Sequence, residues 1–185
     1  MSINQSRLTP TEIGTVLGMS LVEGKNIEIL HETEISLISG AGISKTDYII
    51  ERFVLSACAA AHAAGSYFSP NERKMVASGF MDWFQRGAAS TPAFKLAYES
   101  FAVRVPIYSA AATQDRNSGR REQEAVTFPA LTLAFGDALF TKAKRSEEAE
   151  GLCRVLASAI TESLWSAQVE GSIALFTRTG GSSGA

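Results

Sequence analysis

Cysteine is scarce in this chain, and Cys58 and Cys153 are the only two. Two thiols cannot build the disulfide framework on which many small secreted domains depend, although a single bridge stays open. Both fall in segments whose pattern indicates helix interiors, where a free cysteine packs as a small apolar side chain. Cysteine usage therefore favours a reducing compartment, and we expect the protein to be cytoplasmic.

Long apolar runs are also missing. No window reaches the roughly 18 uninterrupted apolar residues that a membrane helix needs, so we expect no membrane span. The first twelve residues, MSINQSRLTPTE, are polar and lack the apolar core of a Sec signal peptide. Export by a route that does not use the Sec pathway stays open as an alternative.

Neither sign of charge dominates the composition. Seventeen basic residues stand against nineteen acidic ones, which leaves a formal net charge of -2. Nucleic-acid affinity depends on a basic face, so we do not expect a nucleic acid as a partner. The chain is 45% hydrophobic and 19% charged, which is typical of a globular domain. We expect one domain over residues 1–179, followed by a flexible Gly/Ser tail over 180–185.

What the sequence does contain is a series of helix-start signals. In both TPTE, residues 9–12, and SPNE, residues 69–72, a capping hydroxyl precedes a proline at the first helical position, with a carboxylate at the third. Such signals, with apolar residues at helical spacing, predict helices over 10–22, 47–64, 70–86, 92–104, 106–116, 129–144 and 147–169. The expected fold class is mainly α, a single-domain bundle of about six to eight helices.

Two segments carry a different pattern. Residues 26–39 alternate apolar and polar side chains for most of their length, which favours a strand. Ile27, Leu30, Ile35 and Ile38 would also form a helical stripe, so a helix over 26–39 is the alternative. Residues 171–179 are a second short strand candidate. We predict a small two-stranded β appendage in which 26–39 pairs with 171–179.

Cys58 and His62 stand four residues apart in the alanine-rich segment SACAAAHAAG, which puts their side chains about 5–6 Å apart on one helix face. That spacing would suit a thiol with its base, or two corners of a metal site. An alanine-lined helix interior raises a thiol pKa, however, and two further ligands are not evident. Glu28 and His31 have the Glu-x-x-His spacing of di-iron bundles, but the second copy of the motif is missing. We therefore expect helix packing here, with no catalytic residue, no metal ligand and no cofactor.

Aromatic residues cluster in the middle of the chain. Phe80, Trp83 and Tyr98 fall at helical spacing and are expected in the core. Tyr67 and Phe68 form a pair in a loop between helices, where packing is favoured over a partner surface. These five aromatics, with Cys58 and His62, are the candidates for a pocket or an interface.

No set of residues has the mutual support that catalysis needs, so we expect a non-enzymatic interaction or scaffold domain. Helix faces rich in Ala, Gly and Ser suit close subunit packing, so the first expected partner is the chain itself, as a dimer, with another protein as a further option. One alternative is a helical module that binds a small apolar ligand between Ala57–Ala64 and the central aromatics. The other is a thiol enzyme or metalloprotein that uses Cys58 and His62.

Overall fold

The computed structural model describes residues 8–23, 30–117 and 128–179, and these ranges form seven helices and no strand. In chain order the helices are α1 (Pro10–Glu23), α2 (Glu32–Ala41), α3 (Lys45–Tyr67), α4 (Pro70–Ser90), α5 (Pro92–Asn117), α6 (Pro129–Phe140) and α7 (Glu147–Thr179). The prediction of a mainly α bundle of six to eight helices is confirmed. The tail predicted over 180–185 lies outside the described residues.

Several helix starts follow the capping signals in the sequence. Before α4, the Ser69 backbone N–H and hydroxyl both donate to Glu72 Oε2, at 3.1 and 2.6 Å. Before α1, Thr9 makes the same two bonds to Glu12, at 2.7 and 2.8 Å. A carboxylate that reaches back in this way fixes the chain as it enters the helix. The starts predicted at residues 10, 70, 92, 129 and 147 all agree with the structure.

The predicted strand over 26–39 is wrong for the part that the structure describes. Residues 32–41 form α2, and 26–29 lie outside the described ranges. Glu34, at the third helical position, accepts the backbone N–H of His31 at 2.9 Å and so secures the helix start. The buried residues Glu34, Ile38 and Ala41 recur at helical spacing. The helical alternative therefore holds, because the face that packs on the core has a period near 3.6 rather than 2.

The second strand candidate, 171–179, is also wrong, because it continues α7 to Thr179. Ser172 and Phe176 are buried four residues apart on this last part of the helix. The Phe176 ring packs on Tyr67 and Phe68, with centroid distances of 5.5 and 4.8 Å. This tertiary contact anchors the end of α7. The predicted β appendage is therefore absent from the described residues.

Pro106 does not break a helix, contrary to the boundary predicted between 104 and 106. α5 runs from Pro92 to Asn117 with Pro106 inside it. Proline has no N–H, so the Ala102 carbonyl loses its hydrogen bond within the helix. Ala102 and Pro106 are both exposed, so water can supply the missing donor. α6 in turn ends at Phe140, earlier than the predicted residue 144.

α3 is the central helix, and every residue from 50 to 60 is buried. α5 and α7 pack along it, and α6 packs on both of these helices. Asp115, near the end of α5, accepts the backbone N–H groups of Ala130 and Leu131 at 2.9 and 3.0 Å. The same carboxylate therefore caps the start of α6 and holds it beside α5.

α1 packs on α4 at a very short distance, which glycines allow. A Cβ atom on Gly79 of α4 would lie 1.9 Å from the Thr11 carbonyl oxygen. One on Gly14 of α1 would lie 2.0 Å from the Val76 carbonyl oxygen. No side chain fits at either position while the two backbones keep this separation.

Candidate functional site

Cys58 lies in the middle of α3 and is buried, as is Cys153 in α7. Burial raises the pKa of the Cys58 thiol far above its usual range. Burial also raises the pKa of Cys153. Nucleophilic and metal-binding cysteines act as thiolates, so the surroundings of both thiols disfavour such chemistry.

His62 lies one turn beyond Cys58 on α3 and is half-buried. Its Nε2 atom is 2.8 Å from the Arg116 guanidinium, which also donates to Ser66 Oγ at 3.3 Å. A guanidinium group has only donors, so Nε2 accepts and the imidazole is neutral. Burial, and then the charge of Arg116, lower the pKa of His62. His62 therefore links α3 to the last turn of α5, with the Trp165 ring of α7 centred 5.6 Å from its own.

Metal ligands are not gathered around either histidine. Over the ranges 8–23, 30–117 and 128–179, no three His, Cys, Asp or Glu side chains form a group that could hold a metal ion. His31, from the Glu-x-x-His motif, is exposed at the start of α2. Its motif partner Glu28 lies outside the described residues.

Phe80, Trp83 and Tyr98 come together in one aromatic cluster. Its centre is Phe84, which is fully buried and lies 5.8, 5.9 and 5.4 Å from those three rings, respectively. Phe53 joins from the central helix at 5.5 Å. Offset and edge-to-face contacts of this kind stabilise a core. The cluster thus packs α4 and α5 against α3.

Tyr67 and Phe68 lie apart from that cluster, at the turn between α3 and α4. Their rings contact each other at 5.1 Å as well as Phe176, and Phe68 is buried. The Tyr67 hydroxyl lies 3.5 Å from Thr177 Oγ1. In this structure the pair packs the α3–α4 turn against the end of α7.

An open groove with mostly apolar walls lies beside the aromatic cluster, between the end of α1 and the turn that joins α4 to α5. Its walls include Met19, Val22, Trp83 and Phe94. Among the sequence candidates, only Trp83 reaches it. The segment 57–64 is buried in the bundle except for positions 61 and 62, and does not line this groove.

Two polar clusters at α3 were not predicted. In the first, Glu34 accepts the Tyr48 hydroxyl at 2.6 Å and lies 3.3 Å from Arg52 Nη1. In the second, Glu51 is fully buried, with Oε2 3.6 Å from Arg104 Nε. A signal was available, because Glu51 and Arg52 interrupt an otherwise apolar run from position 48 to 55. Charged residues inside a buried helix need partners from other elements.

An exposed apolar surface on α5 and α6 was not predicted either. Leu96, Val103 and Ile107 of α5 are 49, 60 and 44% exposed, and Leu133 of α6 is 51% exposed. Ile107, Ala110 and Leu133 line one groove between the two helices. These five residues are named the α5–α6 face below.

Comparison with protein families, curated proteins and solved structures finds no match for this chain. None of the helices in the described ranges is long and apolar enough to cross a membrane. The features that bear on function are therefore those of this chain alone. They are the contact of His62 with Arg116, the two buried thiols and the α5–α6 face.

Proposed function

We propose that this protein is a non-enzymatic interaction domain that self-associates through the α5–α6 face, with a dimer as the simplest assembly. The observation that carries the proposal is the set of four large apolar side chains that are about half exposed on these two helices. Monomers expose single apolar residues in many places, whereas contiguous apolar surface is characteristic of interfaces. Removing such surface from water contributes about 25 cal/mol per Å², from which the entropic cost of association is subtracted.

The spacing along α5 favours a second copy as the partner. Leu96, Ser100, Val103, Ile107 and Ala110 are separated alternately by four and three residues. This is the spacing with which two helices pack side by side, and it covers about 21 Å of the helix. A stripe on one helix can meet the same stripe of a second copy across a two-fold axis.

The position of Arg104 keeps charge away from this stripe. Arg104 is the only charged residue between Glu99 and Asp115. Its side chain turns inward, where Nε lies 3.6 Å from Glu51 and Nη2 donates to Thr141 Oγ1 at 3.3 Å. Association through Ser100–Ala110 would therefore not require a charged group of α5 to lose its water, and Asp115 and Asp137 line the groove beside this stretch.

The two alternative functions have less support. A thiol enzyme or metalloprotein would need a reactive Cys58, whose burial disfavours the thiolate. A site for an apolar ligand has the open groove at Trp83 in its favour, but Ala57–Ala64, the other expected wall, packs in the bundle.

The experiment is sedimentation equilibrium of the full chain and two variants over a range of concentrations. Val103→Glu places a charge in the middle of the α5–α6 face. Val155→Glu is the matched control, because Val155 is 56% exposed on α7 and belongs to no part of the face. We expect Val103→Glu to raise the dissociation constant by at least about tenfold and Val155→Glu to leave it unchanged.

Circular dichroism and urea unfolding check that both variants keep the fold. A self-associating chain whose dissociation constant changes equally in the two variants would contradict the proposed face. A chain that stays monomeric at every concentration would contradict the proposed function.

A further inference from the structure

The interface between α3 and α5 contains a buried carboxyl group, Glu51. Glu51 is fully buried, and neither of its carboxyl oxygens has a hydrogen-bond partner among the described residues. The closest cation is Arg104, whose Nε lies 3.6 Å from Oε2, beyond hydrogen-bond distance. A buried carboxylate without donors is costly, and in practice such a group takes up a proton instead.

Glu34, on the neighbouring helix α2, is a buried carboxyl group that does have donors around it. It accepts the His31 N–H at 2.9 Å and the Tyr48 hydroxyl at 2.6 Å, and Arg52 Nη1 lies at 3.3 Å. Three donors thus surround Glu34, which is also buried. Glu51 is also buried but has no such donors among the described residues, so its surroundings disfavour the charged form.

The charged and titratable groups around Glu51 come from three elements. Asp47 and Cys58 lie on α3 itself, Arg104 and Tyr108 on α5, and Lys142 in the turn after α6. Burial is the largest influence and raises the pKa of Glu51; Arg104 and Lys142 oppose it, and Asp47 adds to it. The Tyr108 hydroxyl is buried and likewise has no hydrogen-bond partner in the part of the chain that the structure describes. Within the described ranges the interface is therefore polar, and its nearest donor to Glu51 is Arg104 Nε at 3.6 Å, a weak contact for stabilising a carboxylate.

We propose that Glu51 is a proton-binding site of the folded domain, neutral between α3 and α5, and that its ionisation at higher pH weakens the contact between these helices. This inference does not depend on self-association. It makes the attachment of α5 to the central helix sensitive to pH. The neutral carboxyl group and the amide of glutamine have nearly the same shape, so Glu51→Gln should mimic the protonated state.

The test compares urea unfolding of wild type and Glu51→Gln across the pH range from about 4 to 8. A group that holds its proton more tightly when folded contributes stability at low pH and loses it as the pH rises. We therefore expect equal urea midpoints in acid and a higher midpoint for Glu51→Gln at neutral pH. Glu34→Gln is the control with the opposite expectation, because it removes a charge that Arg52 stabilises. Its midpoint should lie below that of wild type at neutral pH.

A lower neutral-pH midpoint for Glu51→Gln than for wild type would overturn the proposal, because Glu51 would then be an anionic partner of Arg104. A difference that does not change with pH would overturn it as well. The second measurement needs no variant and follows the assigned Glu51 carboxyl carbon of the wild-type protein by NMR. The signal should keep its protonated shift after the exposed glutamates have ionised, and titration together with them would overturn the proposal.

Discussion

Cys58 and His62 occupy neighbouring turns of α3, yet different surroundings control their chemistry. Cys58 lies where apolar side chains enclose the helix, whereas His62 lies where Arg116 and Trp165 approach from α5 and α7. The alanines around Cys58 already indicated a buried thiol. The contact of His62 could not be predicted, because Arg116 is 54 positions further along the chain. The residues near His62 in the sequence do not indicate which distant residue will contact it.

The first residue-scale prediction concerns the thiols. Both are buried, so a thiol reagent can reach them only when the fold opens. We expect the native protein to react with a disulfide reagent at least about 100-fold more slowly than the same protein in concentrated urea. One equivalent of thiol that reacts within seconds in the native state would show that Cys58 or Cys153 is accessible and activated.

The second residue-scale prediction concerns the pH dependence of stability. The pKa of His62 is lowered in the folded state, so the unfolded state binds the proton more tightly. The contribution of His62 to the free energy of unfolding is therefore present above the unfolded pKa of about 6.5 and is lost as the pH falls below it. Between about pH 7 and 5, wild type should lose more free energy of unfolding than His62→Gln, whose amide oxygen can still accept from Arg116. An equal loss in wild type and His62→Gln would contradict the assignment.

At the scale of elements, α2 and α5 show where local pattern and tertiary packing diverge. Residues 30–39 carry strand-like alternation, but the residues that meet the core are spaced as in a helix. Pro106 should end a helix by its local properties, but the long apolar face of α5 packs on both sides of it. In each case the contacts with other helices outweigh a local preference that is worth only a few kcal/mol. The capped starts of α1 and α4 were predicted correctly because their signals are local.

The element-scale prediction tests the close packing of α1 on α4. In Gly79→Ala the new methyl group would meet the Thr11 carbonyl, so the two helices must separate. We expect the free energy of unfolding to fall by at least about 2 kcal/mol, measured by urea denaturation. Gly151→Ala on α7 is the matched control, because nothing lies within 4 Å of its new methyl group. There the better helix propensity should add about 0.5–1 kcal/mol of stability. Similar effects in both variants would contradict the packing.

At the scale of the whole molecule, the sequence predicted a helical bundle and the first residues of most of its helices. The aromatics at helical spacing were expected in the core and do pack there. The sequence did not predict the α5–α6 face, because an exposed valine and a buried one look alike until the neighbouring helices are in place. The proximity of Glu51 to Arg104 was missed for the same reason, because it joins two helices that are distant in the chain. The proposed self-association depends on this α5–α6 face, which can be recognised only in the folded structure.

The most direct test of that statement is native mass spectrometry of the full chain over a range of concentrations, compared with the denatured mass of the same sample. We predict an integer multiple of 19.7 kDa, with the dimer as the first assembly and no added mass. A single species at 19.7 kDa at every concentration would contradict self-association. Added mass that disappears on denaturation would instead favour a bound small molecule and direct attention to the groove beside Trp83.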